Sequence, residues 1–136
     1  MSERDFRVGI EQVDSGVTRM MVGGVVDARA APELRSVIDS LLDEGERTLL
    51  LDLSGAEFFD STALGVALYL AKRLRKLGGT LAVLCPDPLT RELFELAGLN
   101  FIFPVVDSRE SALQRLGVGT PRGQRTGRAE ASGNRG

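Results

Sequence analysis

Residues 48–85, TLLLDLSGAEFFDSTALGVALYLAKRLRKLGGTLAVLC, read as strand, helix, strand. Thr48-Leu49-Leu50-Leu51-Asp52-Leu53 is a short continuous apolar run ending at Ser54-Gly55, the pattern of a central strand buried on both faces. From about Ser61 to Leu77 the period changes. Leu64, Ala67, Leu68, Ala71 and Leu74 form one apolar stripe, Lys72, Arg73, Arg75 and Lys76 gather near its end, and Gly78-Gly79 stops it. Thr80 to Cys85 is a second buried strand, closed by Pro86-Asp87-Pro88. A strand, a helix and a strand in that order imply a parallel pair joined by a crossover helix.

The flanking sequence extends the same pattern. Upstream, the apolar runs Phe6–Val13 and Val17–Val26 are separated by Asp14-Ser15-Gly16, which has turn chemistry and predicts an antiparallel hairpin. A helix follows, with Pro32 at a first helical position, Leu34, Val37, Ile38, Leu41 and Leu42 on one face, and Gly45 as terminator. Downstream, a helix is expected over about Leu89–Ala97 with Leu89, Leu93, Leu96 and Ala97 inward, then Gly98 as its stop. Phe101-Ile102-Phe103 reads as a short strand stopped by Pro104, and Ser108 as the cap of a last helix through Ala112, Leu113 and Leu116. The whole is an α/β domain: a mixed, mostly parallel sheet of four or five strands with an antiparallel first hairpin, packed against about four helices. It occupies 1–116. From 117 to 136 Gly, Arg, Ser, Thr and Pro dominate and no apolar periodicity survives, which reads as a disordered tail.

Composition removes several classes of function. At 136 residues and 43% hydrophobic content the chain suits one domain with a real core. No apolar run approaches the roughly 20 residues of a membrane span, and no leader opens the chain, so a cytoplasmic protein is expected. The net charge of −2 gives no field that would attract nucleic acid. The absence of histidine removes the usual general base, the Ser-His-Asp triad and most zinc sites. The single Cys85, inside an apolar run, reads as a small buried hydrophobe. There is no phosphate-binding loop, no dinucleotide fingerprint and no Cys/His metal set. No enzyme activity, metal or cofactor is therefore expected.

Two acidic positions stand out, each where a strand hands over to a helix. Asp27 follows Gly24-Val25-Val26, and Asp60 follows Phe58-Phe59 and precedes Ser61-Thr62. If the two strands are neighbours and parallel, both junctions lie at one carboxyl end of the sheet, where ligands and partners bind in α/β folds. Helix capping is the simplest role for either position, since Asp, Ser and Thr are all good N-caps. A cap requires one such residue, however, and Asp60-Ser61-Thr62 supplies three. A helix N-terminus also accepts negative charge, so a hydroxyl there can carry a phosphate without disrupting the helix.

These residues resemble the signature of the STAS domain, and specifically of bacterial anti-sigma factor antagonists. The resemblance covers roughly Phe6 to Leu116. It is carried by Gly24-Val25-Val26-Asp27, Leu51-Asp52-Leu53-Ser54-Gly55, Phe59-Asp60-Ser61-Thr62-Ala63-Leu64-Gly65, Gly78-Gly79-Thr80-Leu81 and Leu96-Ala97-Gly98-Leu99. It implies the STAS fold and partner switching. In such a scheme the unphosphorylated protein binds an anti-sigma factor that is also a serine kinase, and the sigma factor is freed for transcription. The kinase then phosphorylates the serine after the motif Asp, here Ser61, and a serine phosphatase resets the cycle. The resemblance implies that Asp60 orients the loop, Thr62 supports the helix start and Asp27 shares the contact surface. Val25, Val26, Leu64 and Val66 would supply apolar contact. Where many members have Gly, this chain has Ala63, a better helix former by about 1 kcal/mol, so a stiffer helix start is expected.

Two other classes compete. One is a STAS module serving as a scaffold or accessory subunit in a sensory or lipid-transport assembly, in which no phosphorylatable hydroxyl at Ser61 is needed. The other is a small enzyme or nucleotide-binding protein, disfavoured by the missing histidine and phosphate loop. The tail reading has a direct check. Deleting residues 119–136 is expected to leave the melting temperature of the domain almost unchanged in a thermal scan.

Overall fold

The structure, a computed structural model, describes residues 4–13 and 16–117. It is a five-stranded sheet in the order β1-β2-β3-β4-β5, from β1 (Arg7–Val13), β2 (Val17–Val26), β3 (Thr48–Phe59), β4 (Thr80–Leu84) and β5 (Val105–Val106). The helices are α1 (Ala31–Asp43), α2 (Ser61–Lys76), α3 (Pro88–Leu96) and α4 (Arg109–Arg115). The β1–β2 pair is antiparallel and every later pair parallel, as the alternation of strands and helices predicts. Of the hairpin turn, Asp14 and Ser15 lie outside the described residues, as does the tail from 118 onward.

Alternate residues of the strands feed two cores. Met20, Val22, Leu49, Leu51, Leu53, Leu81 and Val83 pack under α1 and α2. Val17, Leu50, Ala82 and Leu84 face the other way, where Ala112 of α4 covers them with support from Leu113 and Leu116. Because β2, β3 and β4 bury both faces at this end, they read as unbroken apolar runs. In α2 the buried face is Ala63, Val66, Ala67, Leu70, Ala71 and Leu74. Leu64 and Leu68, expected on the central stripe, sit half-buried at its flank. Of the basic cluster on α2, Arg73 is tied to the neighbouring helix. It donates to Asp39 of α1 at 2.6 Å, where the Tyr69 hydroxyl also donates at 2.5 Å.

Three elements differ from the sequence reading. β3 does not stop at Ser54-Gly55 but runs on to Phe59. Its pairing with β2 slips between Met21 and Gly23 and again between Gly24 and Val25. The Ser-Gly pair is absorbed as a bulge, and the freed N–H of Ser54 donates to the Asp52 carboxylate at 2.9 Å. Gly24 lies in the same irregular stretch with φ at 76°. A Cβ there would lie 2.0 Å from the carbonyl oxygen of Asp5, so only glycine lets the N-terminal segment cross β2 at this point.

The second difference is α3, which turns the expected face outward. Its buried residue is Phe94, stacked on Phe59 at a centroid distance of 5.5 Å and edge-on to Phe103 at 6.1 Å. Leu89, Leu93 and Leu96 are exposed, as is Ala97. One aromatic ring inserted into the main core anchors this short helix in place of an aliphatic stripe. Third, Phe101-Ile102-Phe103 is not a strand. Leu99–Phe101 forms a 3-10 turn, and β5 begins after Pro104. The Pro104 carbonyl accepts from Val83 N–H at 2.8 Å, so the proline starts the edge strand instead of ending one.

This arrangement separates two truncations. Phe94→Ala is expected to cost about 3–5 kcal/mol in urea unfolding. Leu96→Ala in dilute solution is expected to stay within about 0.5 kcal/mol of wild type.

Candidate functional site

The parallel β2–β3 ladder ends with Val26 opposite Phe59. The next peptide continues it, since Asp60 N–H donates to the Val26 carbonyl at 3.3 Å. Asp27 and Asp60 therefore leave neighbouring strands side by side at the carboxyl end of the sheet. The juxtaposition expected from the sequence is present, and Ser61 follows it directly.

The two acids do different work. Asp60 is the N-cap of α2: its backbone is extended, and its Oδ1 accepts from the Ala63 N–H at 3.0 Å. That one bond fulfils the capping role. Ser61 and Thr62 occupy the first two helical positions with exposed side chains, and neither hydroxyl takes part in a hydrogen bond among the described residues. Asp27 caps nothing. The N-cap of α1 is Ala30, which has no side chain to offer, so the helix-cap reading of Asp27 is replaced by a local turn. Its Oδ1 accepts from Arg29 N–H at 3.0 Å and its Oδ2 from the Arg29 guanidinium at 3.1 Å. Partial desolvation pushes the Asp27 carboxyl up, but these bonds outweigh it and leave the group below the usual carboxylate range.

The other expected contact residues divide by burial. Val26, Ala63 and Val66 are buried and present no side-chain surface to another molecule. Val25 and Leu64 are half-buried at the same end. Ala63 acts at this site through its backbone, as the donor to Asp60, while its methyl group packs into the core between sheet and helices. Cys85 is buried with its thiol pushed up to about 11 by desolvation, so it is no nucleophile at neutral pH.

A second feature escaped the sequence reading. The sheet face that α4 leaves open holds a cavity of about 390 Å³ lined by Arg7, Gly9, Arg19, Met21, Gly23, Asp52 and Gly55, among others. Across it runs a charged relay. Arg19 of β2 donates to Asp52 of β3 through Nε at 2.9 Å and Nη2 at 2.8 Å, and to Glu11 of β1 through Nη1 at 2.6 Å. These residues come from three strands, and the only linear signal was a charge inside each apolar run. Burial pushes the Asp52 carboxyl up, but hydrogen bonds from Ser54 and Arg19 outweigh it and hold it below the ordinary carboxylate range. Among the described residues no group of three or more Cys, Asp or Glu is placed to hold a metal ion, and no helix is long and apolar enough to cross a membrane.

Comparison with known proteins adds the family context. The model of the STAS domain matches residues 11–112. The Bordetella bronchiseptica protein named "Putative anti-sigma factor antagonist BtrV" is 34% identical over 117 residues, covering 86% of this chain and 100% of that one. An anti-sigma F factor antagonist of Paenibacillus polymyxa is 30% identical over 104 residues, covering 76% and 89%. Among solved structures, an anti-sigma factor antagonist from Mycobacterium paratuberculosis superposes with a TM-score of 0.76 at 29% identity, covering 85% of this chain and 97% of that one.

The Asp52 relay makes a signed pH prediction. A carboxylate with a depressed folded pKa stabilises the fold above its unfolded value, about 3.9, and that contribution is lost as pH falls through the folded pKa. Asp52→Asn is therefore expected to cost about 2–3 kcal/mol at neutral pH. The gap to wild type, measured by urea unfolding, should close progressively below about pH 4.

Proposed function

The chain belongs to the STAS-domain family, and on that premise we propose that it is an anti-sigma factor antagonist switched by phosphorylation at Ser61. Unphosphorylated, it binds an anti-sigma factor serine kinase through the surface at the carboxyl ends of β2 and β3, and a sigma factor is freed to direct transcription. The observation that carries this reading is the division of labour at the start of α2. Asp60 alone holds the cap, so Ser61 is exposed, and its hydroxyl has no structural duty.

The chemistry fits the geometry. The Ser61 oxygen attacks the γ-phosphorus of the ATP bound by the kinase. The bond to ADP breaks, and the hydroxyl proton passes to a base on the kinase. The product carries about −1.5 to −2 charges at the first position of α2, where the helix dipole favours them. The Asp60–Ala63 bond does not involve the serine side chain, so the fold has no reason to open. The docking surface changes far more. A dianion joins the Asp27 and Asp60 carboxylates at one end of the sheet, and burying all three in an interface carries a desolvation and repulsion cost. Loss of the complex follows, and a serine phosphatase restores the binding form. Thr62, on the next position of the same turn, and half-buried Leu64 and Val25 complete the contact surface, while Ala63 sets the helix start from inside.

The test is to incubate the protein with ATP and each anti-sigma kinase of the same genome, then to map phosphate by mass spectrometry. Modification is expected at Ser61 and at no site in Ser61→Ala, which should retain tight kinase binding. Ser61→Asp is expected to weaken binding about tenfold or more while melting near wild type. Equal binding by Ser61→Asp and wild type to the cognate kinase would sink the switch.

A further inference from the structure

Helix α3 buries one residue, Phe94, and turns its leucines to solvent. Leu89, Leu93 and Leu96 recur at helical spacing on its outer side, and the 3-10 turn that follows adds Phe101 and Ile102. Leu89 is 73% exposed, Leu96 79% and Phe101 88%. Isolated apolar side chains on a surface mean little, but a ridge of five within 14 residues of sequence, 89–102, is the kind of patch that marks an association site. None of these residues belongs to the Asp27–Asp60–Ser61 site.

The charges around the ridge say what covers it. On α3 the ridge is bordered by exposed Glu92 and Glu95. On its other element, Ile102 lies against Leu68, Lys72 and Arg75 of α2. Among the described residues, none of these two acids and two bases forms an ion pair within the chain. One patch thus offers an apolar centre with two unpaired acids and two unpaired bases at its borders, which makes it complementary to itself. Residues 118–136 contain no Leu, Ile, Met or aromatic side chain that would match it.

We propose that a second copy of this chain covers the ridge about a twofold axis. Leu89, Leu93, Leu96 and Phe101 form the desolvated centre, and Glu92 and Glu95 of each copy face Lys72 and Arg75 of the other. Such an isologous contact uses one patch twice and closes on itself, so it yields a dimer and not a filament. An apolar core with a charged rim is also the anatomy of homodimer interfaces.

Sedimentation equilibrium on the full chain, from micromolar to near-millimolar concentration, reads the outcome. A monomer–dimer equilibrium is expected. The double variant Leu96→Glu/Phe101→Glu should be monomeric throughout, with the circular dichroism of the wild type, because neither side chain supports the fold. Glu92→Lys/Glu95→Lys should weaken the dimer by about tenfold, and adding Lys72→Glu/Arg75→Glu to the same chain should restore it. A wild-type protein that stays monomeric, whether or not another protein binds the ridge, overturns the proposal. So does a dimer that survives Leu96→Glu/Phe101→Glu, or a fourfold charge reversal that fails to recover.

Discussion

The parallel pairing of β2 with β3 positions both the α3 anchor and the junctions at Asp27 and Asp60. It carries the two strands through two irregularities to Val26 opposite Phe59, and the Asp60 N–H to Val26 carbonyl bond extends it by one peptide. β3 absorbs one additional residue at each irregularity, so the second restores the alternation that the first breaks, and Phe59 ends on the same core face as Leu49, Leu51 and Leu53, where it stacks on Phe94. The same register sets Asp27 beside Asp60. The anchoring of α3 and the geometry of the Asp27–Asp60 surface are thus two consequences of one ladder.

Much of this was legible in the sequence, because the order of elements rests on periodicity and periodicity is a linear signal. The switch from the run Thr48–Leu53 to the stripe of α2 and back to Thr80–Leu84 fixes a parallel crossover before any contact is known. What escaped was set by competition between signals. Ser54-Gly55 has turn chemistry, yet Asp52 accepts the Ser54 N–H and the strand continues. In α3 three leucines at helical spacing pointed one way and a single Phe94 the other. The ring won, because an aromatic side chain buries more area than any one leucine and found two ring partners. The Glu11–Arg19–Asp52 relay was out of reach for a different reason: its members come from three strands and meet only in the sheet.

The candidate site shows the same limit at finer grain. That Asp27, Asp60 and Ser61 would gather at one end followed from two parallel strands. Which of them would be tied down did not, because Asp, Ser and Thr are nearly interchangeable as caps in a sequence. The structure separates them through one bond. Asp60 lies in the extended conformation of an N-cap and reaches Ala63 N–H, whereas Asp27 is held in its own turn by Arg29.

That separation bears on why a switch fits here at all. A residue that is both cap and phosphate acceptor would link modification to helix stability, because esterifying its oxygen alters the bond that holds the first turn. With the cap on Asp60 and the hydroxyl on Ser61, the two tasks fall on adjacent side chains. A charge added at Ser61 meets a favourable dipole and no competing hydrogen bond, so its cost falls on whatever docks against the surface and not on the domain. Ala63 strengthens this partition. Its methyl group is locked in the core while its N–H serves Asp60, so the helix start is held from beneath as well as from its end. On the switch we propose, a rigid platform of this kind would turn a local change in charge into a change in affinity instead of a change in shape.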